Sequence, residues 1–260
     1  MSRPRFVSQV SSPTFGVKQK PEVRRPSMIV RKFLLRRDLL DNVLDFLRFR
    51  LDAFPSLDYQ PLPWLGIHSA RRDVGVWSRW KAIAAVVDDL QVSTALDIGC
   101  NAGFFSVSLA MRGVTTVGVE ILPKYYRTVL YGSRKLQLEQ LGLLCLKVTP
   151  VTVAILPEAD CVLFLSVWHH LSKEYGLNGA TGILRAVWSK TRRVLFFETG
   201  EREMPLKYNL PSLEPDAQSY LRRYLEDKCS GGQVRHLGRH EAFSPDGRVV
   251  ERNLFAVLRG

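Results

Sequence analysis

The sequence predicts an α/β fold: a mostly parallel sheet with helices on both faces, an antiparallel edge strand, and a helical extension on its amino-terminal side. Three observations carry this expectation. From Thr94 onward, short apolar runs of strand length alternate with longer segments of helical spacing, the pattern of parallel strands joined by crossover helices. Near the carboxyl end the alternation stops, because strand-like runs at 233–237 and 253–259 flank a turn-rich segment containing Pro245-Asp246-Gly247 with no helix between them. Upstream, residues 28–54 place Phe33, Leu34, Leu39, Leu40, Val43, Leu44, Leu47 and Leu51 at helical intervals.

Taken in order, residues 1–27 are rich in Ser, Pro, Lys and Arg, with Glu22 as the single acid. They lack the apolar core of a signal peptide and read as a disordered basic tail. Residues 28–75 read as a helical extension or lid, whose helix should stop at Phe54 because Pro55 disfavours helical backbone before it. Trp64, Arg71, Arg72, Trp77, Arg79 and Trp80 crowd the approach to the main domain, expected over 76–260. They suit either a lid that stacks on a substrate and pairs with its anion, or aromatic anchors that seat a helix in the core. That helix follows Ser78, a plausible N-cap, and turns Ile83, Val86, Val87 and Leu90 to one side. Strands are expected near 94–98, 115–120, 143–148, 160–166 and 193–199, and helices near 103–112, 123–138, 179–190 and 215–228.

Between the first strand and its helix lies Gly99-Cys100-Asn101-Ala102-Gly103, a turn of side chains small enough for a ligand to approach the backbone. A nucleotide-like ligand is expected there, at the strand's carboxyl end and the helix amino terminus. A dinucleotide fingerprint would read G-x-G-x-x-G, but Asn101 takes the middle position and Phe104 the closing one. Asp97, just ahead of the turn, is a poor neighbour for a pyrophosphate and a natural partner for an ammonium. Glu120 ends the second strand, where a carboxylate can accept both hydroxyls of a ribose.

The D-I-G-x-N-x-G stretch resembles the glycine-rich loop of class I S-adenosylmethionine-dependent methyltransferases, whose sheet is Rossmann-like. The resemblance spans roughly residues 78–200. It implies S-adenosyl-L-methionine as cofactor, with its methionine part held by Asp97, Gly99, Asn101 and Gly103 and its ribose by Glu120. Ile121, Val148 and Thr149 would border the adenine, with Phe104 and Ser166 completing the set.

The methyl acceptor would then meet the ends of the fourth and fifth strands, Ser166-Val167-Trp168-His169-His170 and Phe197-Glu198. His169 or His170 has the right pKa range for a base, and Glu198 could orient it or bind substrate. The fourth strand is not followed by the Asn/Asp-Pro-Pro-aromatic motif of base-amine methylases. No Pro-Cys pair offers a covalent thiol route. The His pair with a nearby Glu lacks a third ligand at defined spacing, so no metal is expected.

Composition leaves several acceptors open. Net charge is +12, and residues 1–60 hold twelve Lys or Arg against six Asp or Glu. No window approaches the roughly 20 apolar residues of a membrane span. The four dispersed cysteines, without a C-x-x-C pair, fit buried thiols in the cytoplasm. The leading reading is methyl transfer to an O or N nucleophile of a small molecule. One alternative is an RNA (tRNA) methyltransferase gripping its substrate through the basic amino-terminal region, another a non-catalytic cofactor-binding scaffold. Oligomeric state is not legible.

Overall fold

The computed structural model describes residues 60–68 and 73–260, together with Val43, Leu44 and Leu47, which are helical and about half exposed. The tail expected over 1–27 and most of the extension expected over 28–75 lie outside the described residues, as do Arg71 and Arg72. Residues 60–260 belong to one compact unit, Leu44–Gly260.

Its helices are α1 (Val76–Asp89), α2 (Phe104–Met111), α3 (Pro123–Lys135), α4 (Trp168–Ser189) and α5 (Ala217–Lys228). Its strands are β1 (Thr94–Ile98), β2 (Thr115–Glu120), β3 (Leu141–Cys145), β4 (Ala159–Leu165), β5 (Thr191–Glu198), β6 (Gly232–Phe243) and β7 (Val249–Arg259). They form one sheet in the order β3-β2-β1-β4-β5-β7-β6. β1 to β5 pair in parallel, whereas β7 runs antiparallel between β5 and β6. The chain therefore crosses from β1 outward to β3 and then returns beside β1 to start β4. That reversal opens a crevice at the carboxyl ends of β1 and β4, the usual ligand position in such sheets.

Strand alternation sorts side chains to two faces. Val162, Phe164, Leu195 and Phe197 point to the layer formed by α4 and α5, where they meet Ile183 and Leu225. Cys161, Leu163, Val194 and Phe196 point to the opposite layer, against Ile83 of α1 and Phe105 of α2. Asp160 ties the starts of two neighbouring strands. Its Oδ2 accepts from the Ser93 and Thr94 N–H groups at 3.0 and 3.1 Å and from Ser93 Oγ at 2.7 Å.

Several expected boundaries move. Ser78 is not the N-cap: α1 starts at Val76 after a left-handed Gly75, and Ser78 Oγ donates back to the Gly75 carbonyl. The helix expected near 179–190 begins at Trp168, with non-helical backbone at Gly176 inside it. β6 and β7 are far longer than the runs at 233–237 and 253–259, because each keeps pairing through polar residues as far as Phe243↔Val249. Cys100, Cys161 and Cys229 are buried, but Cys145, on edge strand β3, is exposed. Among the described residues, no helix is long and apolar enough to cross a membrane.

Candidate active site

A cleft of about 660 Å³ opens at the carboxyl ends of β1, β2, β3 and β4. Its first wall is the turn after β1. The Gly99 and Cys100 N–H groups both donate to the Val119 carbonyl, at 2.8 and 3.0 Å, which folds the turn over the end of β2. Gly99 has φ +74°, and a Cβ there would lie 2.5 Å from Val167 Cγ2, so conformation and space both require glycine. Asn101 also sits in the left-handed region, at φ 52°, and its Oδ1 accepts from the Ala102 N–H at 2.7 Å. Asn tolerates that region through such local bonds, which explains how it takes the position that a dinucleotide fingerprint gives to glycine. Gly103 is the N-cap of α2.

Two carboxylates face each other across this turn. Asp97, buried at the end of β1, accepts from Ser106 Oγ of α2 at 2.5 Å. Burial pushes its carboxyl up to about 7, the Ser106 hydroxyl opposes the rise, and the Glu120 charge adds to it. Glu120 is gripped by backbone: Oε2 accepts from the Asn101 N–H and Oε1 from the Leu122 N–H, both at 2.8 Å. Burial raises the Glu120 carboxyl as well. One buried carboxylate beside another, with no cation in contact among the described residues, is an electrostatically costly arrangement that a cationic ligand would relieve.

Ile121 and Val148 line the next stretch of wall, with Leu146 and Lys147. Thr149 does not. Its hydroxyl lies 3.1 Å from that of Thr152 and receives the Val151 and Thr152 N–H groups, closing a turn beneath the wall. Phe104 also lies outside the cleft lining, with no exposed surface. Its ring stacks on Trp64 and takes Trp77 and Trp80 edge-on. Trp64 and Trp80 pack against the core as anchors would, whereas Trp77 stays half exposed.

The far half of the cleft is bounded by Ser166, His169 and His170 at the end of β4, by Met204 and Tyr208, and by Arg79 and Arg252. Ser166 is left-handed, φ 57°, and donates to Glu198 Oε1 at 2.6 Å. Glu198 is wholly buried and lies outside the lining, held by Arg79 Nη1 at 3.0 and 3.2 Å. It does not orient the histidines. His169 is fixed instead by the Gly200 N–H, which donates to Nδ1 at 2.9 Å, with Thr199 Oγ1 at 3.3 Å. Burial holds the His169 pKa well below its usual value, helped by His170 and Arg252. His170 is more exposed, and its pKa is lowered by burial, Lys173 and Arg252. Both rings lie within 6 Å of the Tyr208 ring, at 5.6 and 5.7 Å.

Ser106, Tyr208 and Arg252 are site residues that the sequence reading missed. Arg252 reaches in from β7, with Nε on Glu203 at 2.8 Å, Nη1 3.3 Å from Ser166 Oγ and Nη2 on the Phe243 carbonyl. No local pattern marks it. Arg79 stands in the S-R-W segment of the first turns of α1, and its proximity to aromatics was the available signal. Among the described residues no cluster of three or more His, Cys, Asp or Glu is arranged to hold a metal.

No protein-family model and no curated protein matches the chain. Solved structures do. The bifunctional kinase-methyltransferase WbdD is 24% identical with a TM-score of 0.62, over 77% of this chain and 43% of that one. This chain thus spans less than half the length of WbdD. Magnesium protoporphyrin IX methyltransferase (ChlM) from Synechocystis PCC 6803, solved with bound SAH, is 19% identical with a TM-score of 0.56, over 90% of this chain and 99% of that one. The same enzyme with bound SAM matches at 17% identity and a TM-score of 0.52, over 72% and 80% of the two chains. With its strand order, its antiparallel β7 and these neighbours, the chain has the fold of class I methyltransferases.

Proposed function

We propose that the protein is an S-adenosylmethionine-dependent methyltransferase acting on an oxygen or nitrogen nucleophile of a small molecule. The observation that carries this reading is the pair Asp97 and Glu120 across the Gly99–Gly103 turn. Asp97 is buried without a cation in contact among the described residues, which suits the ammonium of a methionine group. Glu120 has one oxygen on each of two backbone N–H groups, so its carboxylate is preorganised and retains lone pairs for ribose hydroxyls. Ile121, Leu146 and Val148 give an apolar slot beside it, suited to an adenine. When bound, S-adenosylmethionine would supply an electrophilic methyl on a sulfonium.

The chain's own residues would hold that methyl against the acceptor and keep water out, so that catalysis rests on alignment. His170, the more exposed of the two histidines, is the nitrogen that can take up a proton. His169 uses Nδ1 for the Gly200 N–H and keeps its own proton on Nε2 when neutral. ChlM has been solved with SAM and SAH, which supports the cofactor but not an acceptor.

Calorimetric titration with S-adenosylmethionine, with NAD as control, tests the reading. Micromolar binding, lost in Asp97→Ala and in Glu120→Ala, is the expected result. A folded protein that ignores S-adenosylmethionine would refute it. The RNA alternative predicts RNA affinity that falls steeply with salt and disappears on removal of residues 1–60.

A further inference from the structure

We propose that the acceptor half of the cleft selects an oxyanion, so that the methylated group is a carboxylate or phosphate monoester oxygen rather than an alcohol or amine. The proposal rests on the methyltransferase reading above and names its substrate class.

The argument is a census of donors and acceptors. Two arginines line this half, Arg79 and Arg252, with side chains only 11% and 7% exposed. Their carboxylate partners, Glu198 and Glu203, do not line it. Glu198 Oε1 already takes Arg79 and Ser166, and Oε2 takes Arg79. The guanidinium groups are thus held from behind while contributing to the cleft wall. His169 adds another donor. Because Nδ1 accepts from Gly200, a neutral His169 ring carries its hydrogen on Nε2. The Tyr208 hydroxyl adds one that can also accept. The remaining carboxylate of the lining away from the cofactor pair, Glu174, is bound to Lys147 on the exposed rim by the end of β3.

Charge and hydrogen-bond capacity therefore agree. Two guanidinium groups, each ion-paired on its far side, and a neutral N–H donor offer an anionic oxygen fixed and partly charge-assisted donors. An ammonium or a neutral hydroxyl would meet these donors with too few acceptors of its own protons. An oxyanion also needs no base: its lone pair forms the new C–O bond while the methyl–sulfur bond breaks and that pair stays on sulfur as a neutral thioether. No proton has to leave, which fits a site whose nearest base, His170, faces the cations Lys173 and Arg252.

Titrating four probes of one skeleton into the full chain saturated with S-adenosylhomocysteine tests this. Benzoate and phenyl phosphate carry the anion, benzyl alcohol and benzylamine do not. At least one anionic probe should bind tenfold or more tightly than both controls, and the stronger of the two identifies carboxylate or phosphate as the acceptor. Arg252→Met should remove that preference while S-adenosylhomocysteine still binds; Arg252→Gln, which is also uncharged but can still hydrogen-bond the Phe243 carbonyl, serves if the first variant fails to fold. Equal binding of anionic and neutral probes by the wild type overturns the proposal without touching the cofactor reading. Failure of S-adenosylhomocysteine to bind overturns the cofactor reading, and the same four titrations without it still decide the anion preference.

Discussion

Replacing Asp97 by Asn should flatten the pH dependence of folding stability while it weakens the grip on a cationic ligand. The carboxyl is buried and raised from 3.8 to about 7. A value higher in the folded than in the unfolded chain means that the folded state holds this proton more tightly. The stability so conferred is complete below about pH 4 and lost as pH rises through 7. Three units at roughly 1.36 kcal/mol each put the cost of ionising Asp97 in the folded protein at about 4 kcal/mol above pH 7. Between about pH 5.5 and 8, the stability of the wild type relative to the variant should fall by about 2 kcal/mol. Asn can still accept from Ser106 Oγ, which keeps the local bond that Asp97 makes. Urea denaturation of both proteins at the two pH values, without ligand, measures the difference directly. A difference that does not change with pH would refute the assignment of a costly buried charge to Asp97. Loss of S-adenosylmethionine affinity in a variant that is no less stable at pH 8 would link that cost to ligand binding.

Three further predictions concern how the site is supported. Gly75→Ala should destabilise the fold by at least about 2 kcal/mol in denaturant titration, because φ is +71° and the new Cβ would lie 1.9 Å from the Glu241 carbonyl oxygen. Phe104→Ala should cost about 3–5 kcal/mol, read from the same titration, since it empties the space among Trp64, Trp77 and Trp80. Arg79→Met should cost about 3–5 kcal/mol by stranding Glu198, which has no solvent exposure. Adding Glu198→Gln to that variant should recover part of the loss, and no recovery would argue against a stranded charge.

That Asp97, Gly99, Asn101 and Glu120 would line one cleft was legible in the sequence, and the reason is physical. Asp97, the Gly99–Gly103 turn and Glu120 lie within two consecutive strand-turn units, so short spacing fixes their geometry. Even Asn101 in the left-handed region was compatible with the pattern, although the pattern alone would not have supplied its φ. The acceptor side was less legible because its parts come from distant segments. Arg252 meets Glu203 and Ser166 only through the antiparallel insertion of β7. Glu198 looked available at a strand end, yet Arg79, 119 residues away in sequence, claims it. Thr149 and Phe104 were near the right places, but turn closure and aromatic packing took their side chains. The first part of α4 was hidden by the polar run His169-His170 and by Gly176, which interrupts helical spacing.

The place of β7 between β5 and the edge strand β6 has a consequence for synthesis. As the chain leaves the ribosome, β1, β2 and β3 emerge before β4, and the residues around Asp97 and Glu120 can assemble among neighbours already made. β7 is the last strand in sequence but stands between β5 and β6. Until it inserts, β6 has no partner and Arg252 is not delivered to Ser166. The nascent protein therefore assembles the Asp97–Glu120 side of the cleft first and the Arg252 side last, which ties completion of the cleft to closure of the sheet.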